Sequence, residues 1–226
     1  MTRIVRSDDI HGLVSAADRL RRGALVIAPT DSGYGLFCDP FNDVAADKLR
    51  AARPRSAGGS LSLLVSAPPE WQRWACAPHH PGLQALLDEV WPGPLGVVAP
   101  ARPVLPSWLV SGTGAVTVVH HASRTLNLLS LYSGLPLAAA SASVHGRDGV
   151  RTAGLQAVRA ELESAVDLIV EAPEGAVGDP PPTVSTVVSV VGPRARLLRA
   201  GAVGVDVLSR RLGVLDGDGV TFESGR

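Results

Sequence analysis

Four polar side chains of different chemistry lie close together near the start of the chain. Between Ala28 and Leu36 the sequence runs Pro-Thr-Asp-Ser-Gly-Tyr-Gly, which supplies hydroxyls at Thr30 and Ser32, a carboxylate at Asp31 and a phenol at Tyr34. The two glycines of this run leave room for a ligand beside the backbone. The same residues also suit a tight turn whose Asp and Ser bond their own backbone, so both interpretations stay open at this point.

Two arginines one residue apart, Arg53 and Arg55, begin a glycine-rich loop. Two guanidinium groups at this spacing can fork onto a phosphate or a carboxylate, while Gly58 and Gly59 let backbone N–H groups approach it. The sequence contains no GxxxxGK[ST] or GxGxxG motif, which disfavours a P-loop or a Rossmann site. The alternative is a solvated basic loop without a ligand.

A third group of hydroxyls follows the apolar run that ends at Ala140. Ser141 and Ser143 stand at the carboxyl end of this predicted strand, where open α/β sheets bind their ligands. The alternative is a turn whose serines cap the next segment. A nucleophilic pair of Ser141 with His145 is disfavoured, because the sequence has neither a nucleophile elbow nor a clear orienting carboxylate.

The histidines occur as two adjacent pairs, His79-His80 and His120-His121. Adjacent residues of a strand point to opposite faces, which suits a shared metal ion poorly. No further ligand stands at a familiar spacing, so we predict no metal site from these residues.

Periodicity and capping residues predict alternating helices and strands around these groups. The first predicted helix is capped by Asp8 or Asp9 and ends at Gly23, the second is capped by Asn42, and a short third one begins at Pro68. Further helices are predicted over 83–90, over 123–132, after a cap at Thr152, and over 206–212. The predicted strands cover 24–28, 36–38, 61–65, 95–99, 115–119, 135–140, 166–170, 185–191 and 196–199, the last two as a pair. This pattern predicts one α/β domain around a mixed, twisted sheet.

Composition excludes several classes of protein. The 226 residues are 46% hydrophobic and 19% charged, which fits a globular chain with a sizeable core. Lys plus Arg and Asp plus Glu each number 21, so a broad basic surface for nucleic acid is not indicated. Cys38 and Cys76 form no CxxC, which favours a reduced compartment over a disulfide framework. Without an apolar signal core or a run of about 18 apolar residues, the expected location is the cytoplasm.

Taken in order, several motifs between about residue 10 and residue 212 resemble those of the YrdC-like family, whose best-known members are threonylcarbamoyl-AMP synthases. Residues 29–36 are similar to the family's Pro-Thr-Asp-Thr-x-Tyr-Gly-Leu, and residues 91–95 to its Trp-Pro-Gly-Pro-Leu. Four further segments are similar to motifs of the family: residues 53–55 to Lys-x-Arg, 140–143 to Thr-Ser-Ala-Asn, 185–188 to Ser-Thr-Val-Val, and 196–201 to Arg-x-x-Arg-Pro-Gly. Several motifs in consistent order are far more specific than any one of them alone.

The resemblance implies a fold and an activity. The fold is a YrdC-like twisted mixed sheet with surrounding helices and a large concave cavity, over a single domain 1–226 with its core at about 10–212 and a polar C-terminal tail. The activity is that of a nucleotidyltransferase: ATP, with Mg²⁺, bicarbonate and an amino acid give a carbamoyl-type adenylate such as threonylcarbamoyl-AMP, with release of pyrophosphate. The product is passed to partner proteins that modify tRNA; no membrane is implied, and nucleic acid is only weakly indicated.

The resemblance also assigns roles, position by position. Arg53 and Arg55 are the implied catalytic residues, which face phosphate and carboxylate groups. The implied substrate-binding residues are Thr30, Asp31, Tyr34 and Leu61. The implied ATP-binding residues are Thr117, Ser141, Ser143, Ser185, Arg196 and Arg199. No protein nucleophile is needed, because fixed guanidinium groups and hydroxyl donors stabilise the negative charge that both chemical steps build.

The chain departs from the family pattern at several of these positions. The family's Lys-Pro before the strand is Gly59-Ser60, its Arg falls on Thr117, and its Asn falls on Ser143. Each lost charged hydrogen bond to phosphate costs about 1.5–3 kcal/mol. Two other hypotheses therefore stay open: a catalytically altered module that binds nucleotide or RNA, and a domain that handles carbamoyl-AMP in a carbamoyltransferase pathway.

Overall fold

The strands form one long mixed sheet with a small separate ladder beside it. The structure, a computed structural model, describes residues 2–30, 33–53, 61–142, 144–145, 151–152, 154–173, 184–213 and 215–216. Within these residues the strands are β1 (Arg3–Arg6), β2 (Val26–Thr30), β3 (Gly33–Cys38), β4 (Ser62–Leu64), β5 (Leu95–Pro100), β6 (Ala115–Val119), β7 (Leu137–Ser141), β8 (Val144–His145), β9 (Arg151–Thr152), β10 (Leu168–Glu171), β11 (Thr186–Ser189) and β12 (Arg196–Arg199).

The order of strands across the sheet is β1-β10-β2-β3-β7-β4-β6-β5-β11-β12, and β8 pairs with β9. The pairs β1–β10, β10–β2, β4–β6 and β5–β11 are parallel, and the remaining neighbours are antiparallel. The predicted mixed α/β sheet is therefore confirmed, as is the antiparallel pairing of the last two strands.

The helices follow the predicted positions closely. In the described part of the chain they are α1 (Ile10–Arg21), α2 (Asp43–Ala52), α3 (Trp71–Trp74), α4 (Leu83–Val90), α5 (Arg124–Ser133), α6 (Leu155–Leu162) and α7 (Val205–Leu212). Asn42 caps α2 as predicted, because its Oδ1 accepts a hydrogen bond from the Ala45 N–H at 3.1 Å. Gly23 follows α1 with a φ of 83°, which suits the end of a helix.

Three local expectations were wrong. The polar start of the chain forms β1, a strand that the sequence did not suggest, because Val5 is its sole buried residue. Thr152 does not cap α6: it lies in β9, and Gly154 occupies the cap position. Asp9 does precede α1, but its side chain makes no capping hydrogen bond.

Two apolar cores lie on opposite faces of the sheet. The first core, on the face that α2, α3, α4, α6 and α7 cover, includes Leu36, Leu63, Val97 and Val188. The second core lies under α1 and α5 and includes Phe37, Leu64 and Val119. Along β2, β3, β4, β6, β7 and β10 the buried residues alternate between the two cores, as the period of two in a β-strand requires.

Among the described residues, no helix is both long and apolar enough to cross a membrane.

The carboxylate of Asp167 joins three elements at one end of the sheet. Its Oδ2 accepts hydrogen bonds from the Leu25 N–H and from Lys48 Nζ, each at 2.8 Å. Partial burial acts to raise the pKa of Asp167, but the hydrogen bonds from Lys48 and Leu25 outweigh it and hold that pKa below its usual range. A carboxyl whose pKa is lowered on folding stabilises the protein above its unfolded pKa, and this stabilisation is lost as the pH falls through the folded value.

We predict that Asp167→Ala lowers the free energy of unfolding at pH 7 by about 1–2 kcal/mol, since a partly exposed charged hydrogen bond lies at the lower end of its range. The loss should shrink as the pH falls below about 4, near the unfolded pKa of an aspartate. Urea denaturation at several pH values measures both effects. The control is Asp47→Ala, which removes an exposed ion pair with Arg50 and should cost less than about 0.5 kcal/mol. Equal losses for the two variants would contradict the prediction.

Candidate functional site

The register of the sheet aligns a row of polar side chains on one face. Ser62 of β4 is paired with Thr117 of β6, Thr117 with Val98 of β5, and Val98 with Ser189 of β11. The row ends at Arg196 of β12, which is the partner of Ser189. Directly paired residues point to the same face, so these five side chains project together.

A second row runs beside the first on the same face. Val119 of β6 is paired with Gly96 of β5, and Gly96 with Val187 of β11. The register of β11 and β12 shifts between Val187 and Val188, as at a β-bulge, and this shift makes Arg199 of β12 the partner of Val187, so this row also ends in an arginine. We call the surface formed by these two rows the open face.

Thr30 and Ser141 lie further along the same side of the sheet. Ser141 is paired with Gly35, and Ala139, two residues before it, is paired with Ser62. Thr30 is paired with Gly33, which in turn lies two residues before Gly35. By the alternation along β2, β3 and β7, both hydroxyl residues therefore share the side of the open face.

The start of α5 is fixed beside Thr30. The Ser123 hydroxyl donates to the Pro29 carbonyl oxygen at 2.7 Å and accepts from the Leu126 N–H at 3.4 Å. One serine thus caps the helix and anchors its first turn to the last residues of β2, which limits how Thr30 can move.

The helices on this side stop short of the last strands. Among the described residues, the second core draws on β1, β2, β3, β4, β6, β7 and β10, and on no residue of β5, β11 or β12. Val98 and Val187 accordingly stay partly exposed, although β5 and β11 are inner strands. Parallel neighbours such as β5 and β11 normally have both faces covered, so the absence of a layer from the described residues over Val98 and Val187 favours a surface for a ligand.

The segment before β11 is held in place by close backbone packing. The Arg199 Nε–H donates to the Ser185 carbonyl oxygen at 2.8 Å. The buried Thr186 hydroxyl donates to the Val203 carbonyl oxygen and accepts from the Val203 N–H, each at 2.9 Å. A Cβ on Gly201 would lie 2.2 Å from the Val184 carbonyl oxygen, so this position requires glycine. Ser185 and Arg199 are therefore brought together, and the ATP-binding role predicted for both stays a prediction.

The charges on the open face are all positive. Its two rows contain the guanidinium groups of Arg196 and Arg199, the hydroxyls of Ser62, Thr117 and Ser189, and no carboxylate. Hydroxyl donors beside fixed guanidinium groups suit phosphate or carboxylate ligands.

Two of the predicted substrate-binding side chains point the other way. Tyr34 belongs to the first core, and its phenol oxygen accepts a hydrogen bond from the Ala172 N–H at 3.3 Å. Burial raises the pKa of Tyr34, which keeps the phenol neutral. Leu61 also packs against the first core. The alternation of the strands therefore does not bring Tyr34 and Leu61 onto the open face with Thr30, and their contact with a ligand stays a prediction.

The predicted catalytic arginines are only partly described. Arg53 follows α2, and its N–H donates to the Leu49 carbonyl oxygen at 3.0 Å. Arg55, Gly58 and Gly59 lie outside the described residues, as do Asp31 and Ser143. The roles of these residues stay predictions.

Two of the paired histidines have structural partners. The His80 Nε2–H donates to the Gly192 carbonyl oxygen, and the His120 Nδ1–H to the Val65 carbonyl oxygen, each at 2.8 Å. Burial lowers the pKa of His120 and favours its neutral form. In the part of the chain that the structure describes, no three His, Cys, Asp or Glu residues are grouped so that they could hold a metal ion.

Sequence reasoning missed Ser62, Ser189 and Gly96, which lie on the open face between predicted site residues. The period of two from Leu61 and Thr186 places Ser62 and Ser189 on the opposite face from their apolar neighbours. That signal was available in the sequence, but the pairing of β5 with both β6 and β11 was not.

The comparisons with known proteins show the family to which the chain belongs. The family model for Sua5, YciO and YrdC, described as "Telomere recombination", matches residues 18–201. A threonylcarbamoyl-AMP synthase of Coxiella burnetii is 31% identical over 179 residues, which are 77% of this chain and 92% of the relative.

Solved structures give the same result for the fold. A structure of P. abyssi Sua5 superposes with a TM-score of 0.80 at 25% identity, over 95% of this chain and 65% of that one. A second structure of P. abyssi Sua5, complexed with L-threonine, superposes with a TM-score of 0.79 at 24% identity. The match covers 94% of this chain and 61% of that one. E. coli YciO, at 19% identity, shares the fold with a TM-score of 0.78 over 92% of this chain and 99% of that one.

With a family model that matches most of its length and a relative above 30% identity along most of both chains, the protein belongs to the Sua5/YciO/YrdC family.

Proposed function

We propose that this protein is a threonylcarbamoyl-AMP synthase: it forms threonylcarbamoyl-AMP from ATP, bicarbonate and L-threonine and releases pyrophosphate. The observation that carries the proposal is the open face, where the register aligns hydroxyls and two guanidinium groups without a carboxylate. Relatives of this protein at about 30% identity are named threonylcarbamoyl-AMP synthase, and the structure of P. abyssi Sua5 was solved in complex with L-threonine. The binding-module and carbamoyl-transfer hypotheses are not favoured by these names.

The reaction has two steps in this proposal. The amine nitrogen of threonine attacks the carbon of bicarbonate, and loss of water leaves a carbamate. A carbamate oxygen then attacks the α-phosphorus of ATP, the bond to the β-phosphate oxygen breaks, and pyrophosphate leaves. Both steps concentrate negative charge on oxygen atoms, and guanidinium and hydroxyl donors stabilise that charge once they are fixed in place.

The residues divide between the two substrates. Ser141, Thr117, Ser185, Arg196 and Arg199 would hold the nucleotide, with Ser143 outside the described residues. Thr30, together with Asp31, Tyr34 and Leu61, would lie on the side of the amino acid. Arg53 and Arg55 would approach the reacting carboxylate and phosphate groups. Mg²⁺ would enter with ATP, because this ion is usually held largely by substrate phosphates.

The proposal also covers the use of the product and the location of the protein in the cell. The acyl adenylate would pass to partner proteins that use it to modify tRNA. A cytoplasmic location is supported by Cys38 and Cys76, which are both free thiols in the structure.

The experiment that tests the proposed function measures pyrophosphate release and identifies the product by mass spectrometry. With ATP, bicarbonate and Mg²⁺, pyrophosphate and the mass of threonylcarbamoyl-AMP should appear when threonine is added. Serine and valine serve as matched amino acids that each lack one feature of the threonine side chain. Pyrophosphate release that does not depend on threonine, or no release despite ATP binding, would reject the proposal.

Arg53→Ala is expected to lower kcat/KM for pyrophosphate release by at least about 100-fold, because a charged hydrogen bond to a reacting group is lost in a site where electrostatic stabilisation dominates. Arg53→Lys should recover part of the activity, since it keeps the charge without the planar fork. The control is Arg50→Ala, one helical turn earlier, where the guanidinium pairs with Asp47 and stacks on Trp108. Wild-type activity in Arg53→Ala would remove this arginine from the site.

Arg199→Ala is expected to raise KM for ATP by about 10- to 100-fold, because one charged hydrogen bond is worth about 1.5–3 kcal/mol and 1.4 kcal/mol is a factor of ten. The KM for threonine should change little, since Arg199 lies on the last strand of the sheet. Steady-state kinetics with each substrate varied in turn separates the two effects. The matched control is Arg194→Ala in the same hairpin, where the side chain is exposed and pairs with Asp216. An equal change for both substrates would argue for a general structural role.

A further inference from the structure

His80 is buried, although its neighbour His79 is exposed. Only 5% of His80 is accessible to solvent. Its backbone is fixed between α3 and α4, because its N–H donates to the Ala77 carbonyl oxygen at 3.1 Å and its own carbonyl oxygen accepts from the Leu83 N–H at 3.0 Å. A buried imidazole loses its hydrogen bonds to water, so it needs a partner inside the protein.

The partner of the imidazole ring lies far away in the sequence. The Nε2–H of His80 donates to the Gly192 carbonyl oxygen at 2.8 Å. A carbonyl oxygen can only accept, which places a proton on Nε2. Gly192 belongs to the turn that joins β11 and β12 into a hairpin. We call this turn, residues 190–195, the tip of the hairpin, so the hydrogen bond ties the tip to the segment before α4.

The ladder of this hairpin is irregular. The pairing of β11 with β12 shifts its register between Val187 and Val188, and β12 is the last strand of the sheet. The far end of the hairpin is held by the hydrogen bonds between Thr186 and Val203. The tip lies on the other side of the irregularity, so the position of the tip depends on contacts of its own.

The contacts of the tip divide between its strand ends and its turn. The Val190 N–H donates to the Val98 carbonyl oxygen at 2.8 Å, and the Asp216 N–H donates to the Ala195 carbonyl oxygen at 2.9 Å. These two bonds hold the residues on either side of the turn. The bond from His80 holds the turn itself, and it comes from a buried side chain that cannot move freely.

Arg196 lies on the tip side of the irregularity. It is paired with Ser189 and stands four residues after Gly192. The residue is exposed, so the backbone of the hairpin does more than packing to decide where its guanidinium group lies. A displaced tip would carry this charge away from the open face, and with it the charged hydrogen bonds that a phosphate would accept there.

We infer that His80 is a positioning residue for ATP: its hydrogen bond to Gly192 holds the tip of the hairpin where Arg196 can meet the phosphates. This inference rests on the proposed function for the identity of the ligand. ATP then binds the form of the protein in which this hydrogen bond is made, so the apparent Kd for ATP rises as the fraction of that form falls.

His80→Phe tests the inference by calorimetric titration with ATP and by steady-state kinetics. The variant keeps a ring in the buried position but removes the donor, which leaves the Gly192 carbonyl oxygen without this partner. We expect the Kd and the KM for ATP to rise about five- to tenfold, as they would if the tip were in place for about a tenth to a fifth of the time. The KM for threonine should change little.

Two further variants show whether the hydrogen bond is responsible. The amide N–H of His80→Gln can reach the same oxygen, so this variant should recover most of the affinity for ATP. The side chain of His80→Asn is polar but too short to reach Gly192, so it should weaken ATP binding as His80→Phe does. His79→Phe is the matched control, because it makes the same substitution at the exposed neighbouring position and should leave both substrate constants unchanged.

Hydrogen exchange followed by mass spectrometry gives a readout besides activity. The amides of residues 190–196 should exchange faster in His80→Phe than in wild type, and ATP should slow this exchange in both proteins. A histidine with a structural role alone would lower Tm in its variants and leave the Kd for ATP unchanged. That result, or an equal rise in the KM for ATP and for threonine, would overturn the inference.

The binding measurement also separates this inference from the proposed function. If wild type binds ATP but gives no threonine-dependent pyrophosphate, the proposed reaction fails while a raised Kd in His80→Phe still supports the positioning role. If wild type turns over and His80→Phe binds ATP normally, the inference alone fails. If wild type does not bind ATP at all, both are overturned.

Discussion

Alternation of side chains across the paired strands is the constraint on which the site depends, and the register shift of β11 against β12 at Val187 interrupts it at the edge of the sheet. Val97, Ala99 and Val188 point into the first core, and this fixes Gly96, Val98 and Ser189 on the opposite side. A slip of one residue in the register of β11 would expose Val188 and turn the hydroxyl of Ser189 into the first core, where burying a polar group costs free energy. The apolar contacts of one face thus specify the polar groups of the other.

The open face is possible because the strands beneath it are stabilised from the other side. β5 contributes Leu95, Val97 and Ala99 to the first core, which the helices of that side cover. Each fully buried aliphatic side chain contributes about 1.5–3 kcal/mol, so one face gives these inner strands enough burial to stay ordered. On the other side, α1 and α5 cover β1, β10, β2, β3, β7, β4 and β6, and in the described part of the chain this cover ends at β5. The hydrogen bond from Ser123 to Pro29 places Thr30 next to the start of α5.

Local patterns in the sequence predicted most of the elements, because capping residues and apolar periodicity act over a few neighbours. Asn42 and Gly23 are examples, and the hydroxyls of Thr30, Ser141 and Thr117 were assigned to one site from motifs. The direction of Tyr34 and Leu61 was not predictable in the same way, since it depends on which face each strand presents to which helices. β1 was missed for a related reason: its pairing with β10 joins residues more than 160 positions apart, and two of its four residues are arginines. Long-range pairing of this kind leaves no local signal.

The distribution of charge follows from the same topology. Thr117 stands in the middle of the first row, where the family pattern has an arginine, and the guanidinium groups of the open face are instead on β12 at the edge of the sheet. An edge position is more exposed to water, which screens a charge and weakens each contact with a phosphate. In the proposed ATP site, fixed hydroxyls on the inner strands would then provide more of the positioning, because they act at short range and do not depend on net charge. The rigid packing of Thr186 against Val203 and of Gly201 against Val184 supports this role, since a weak donor is useful only when the backbone beside it cannot move.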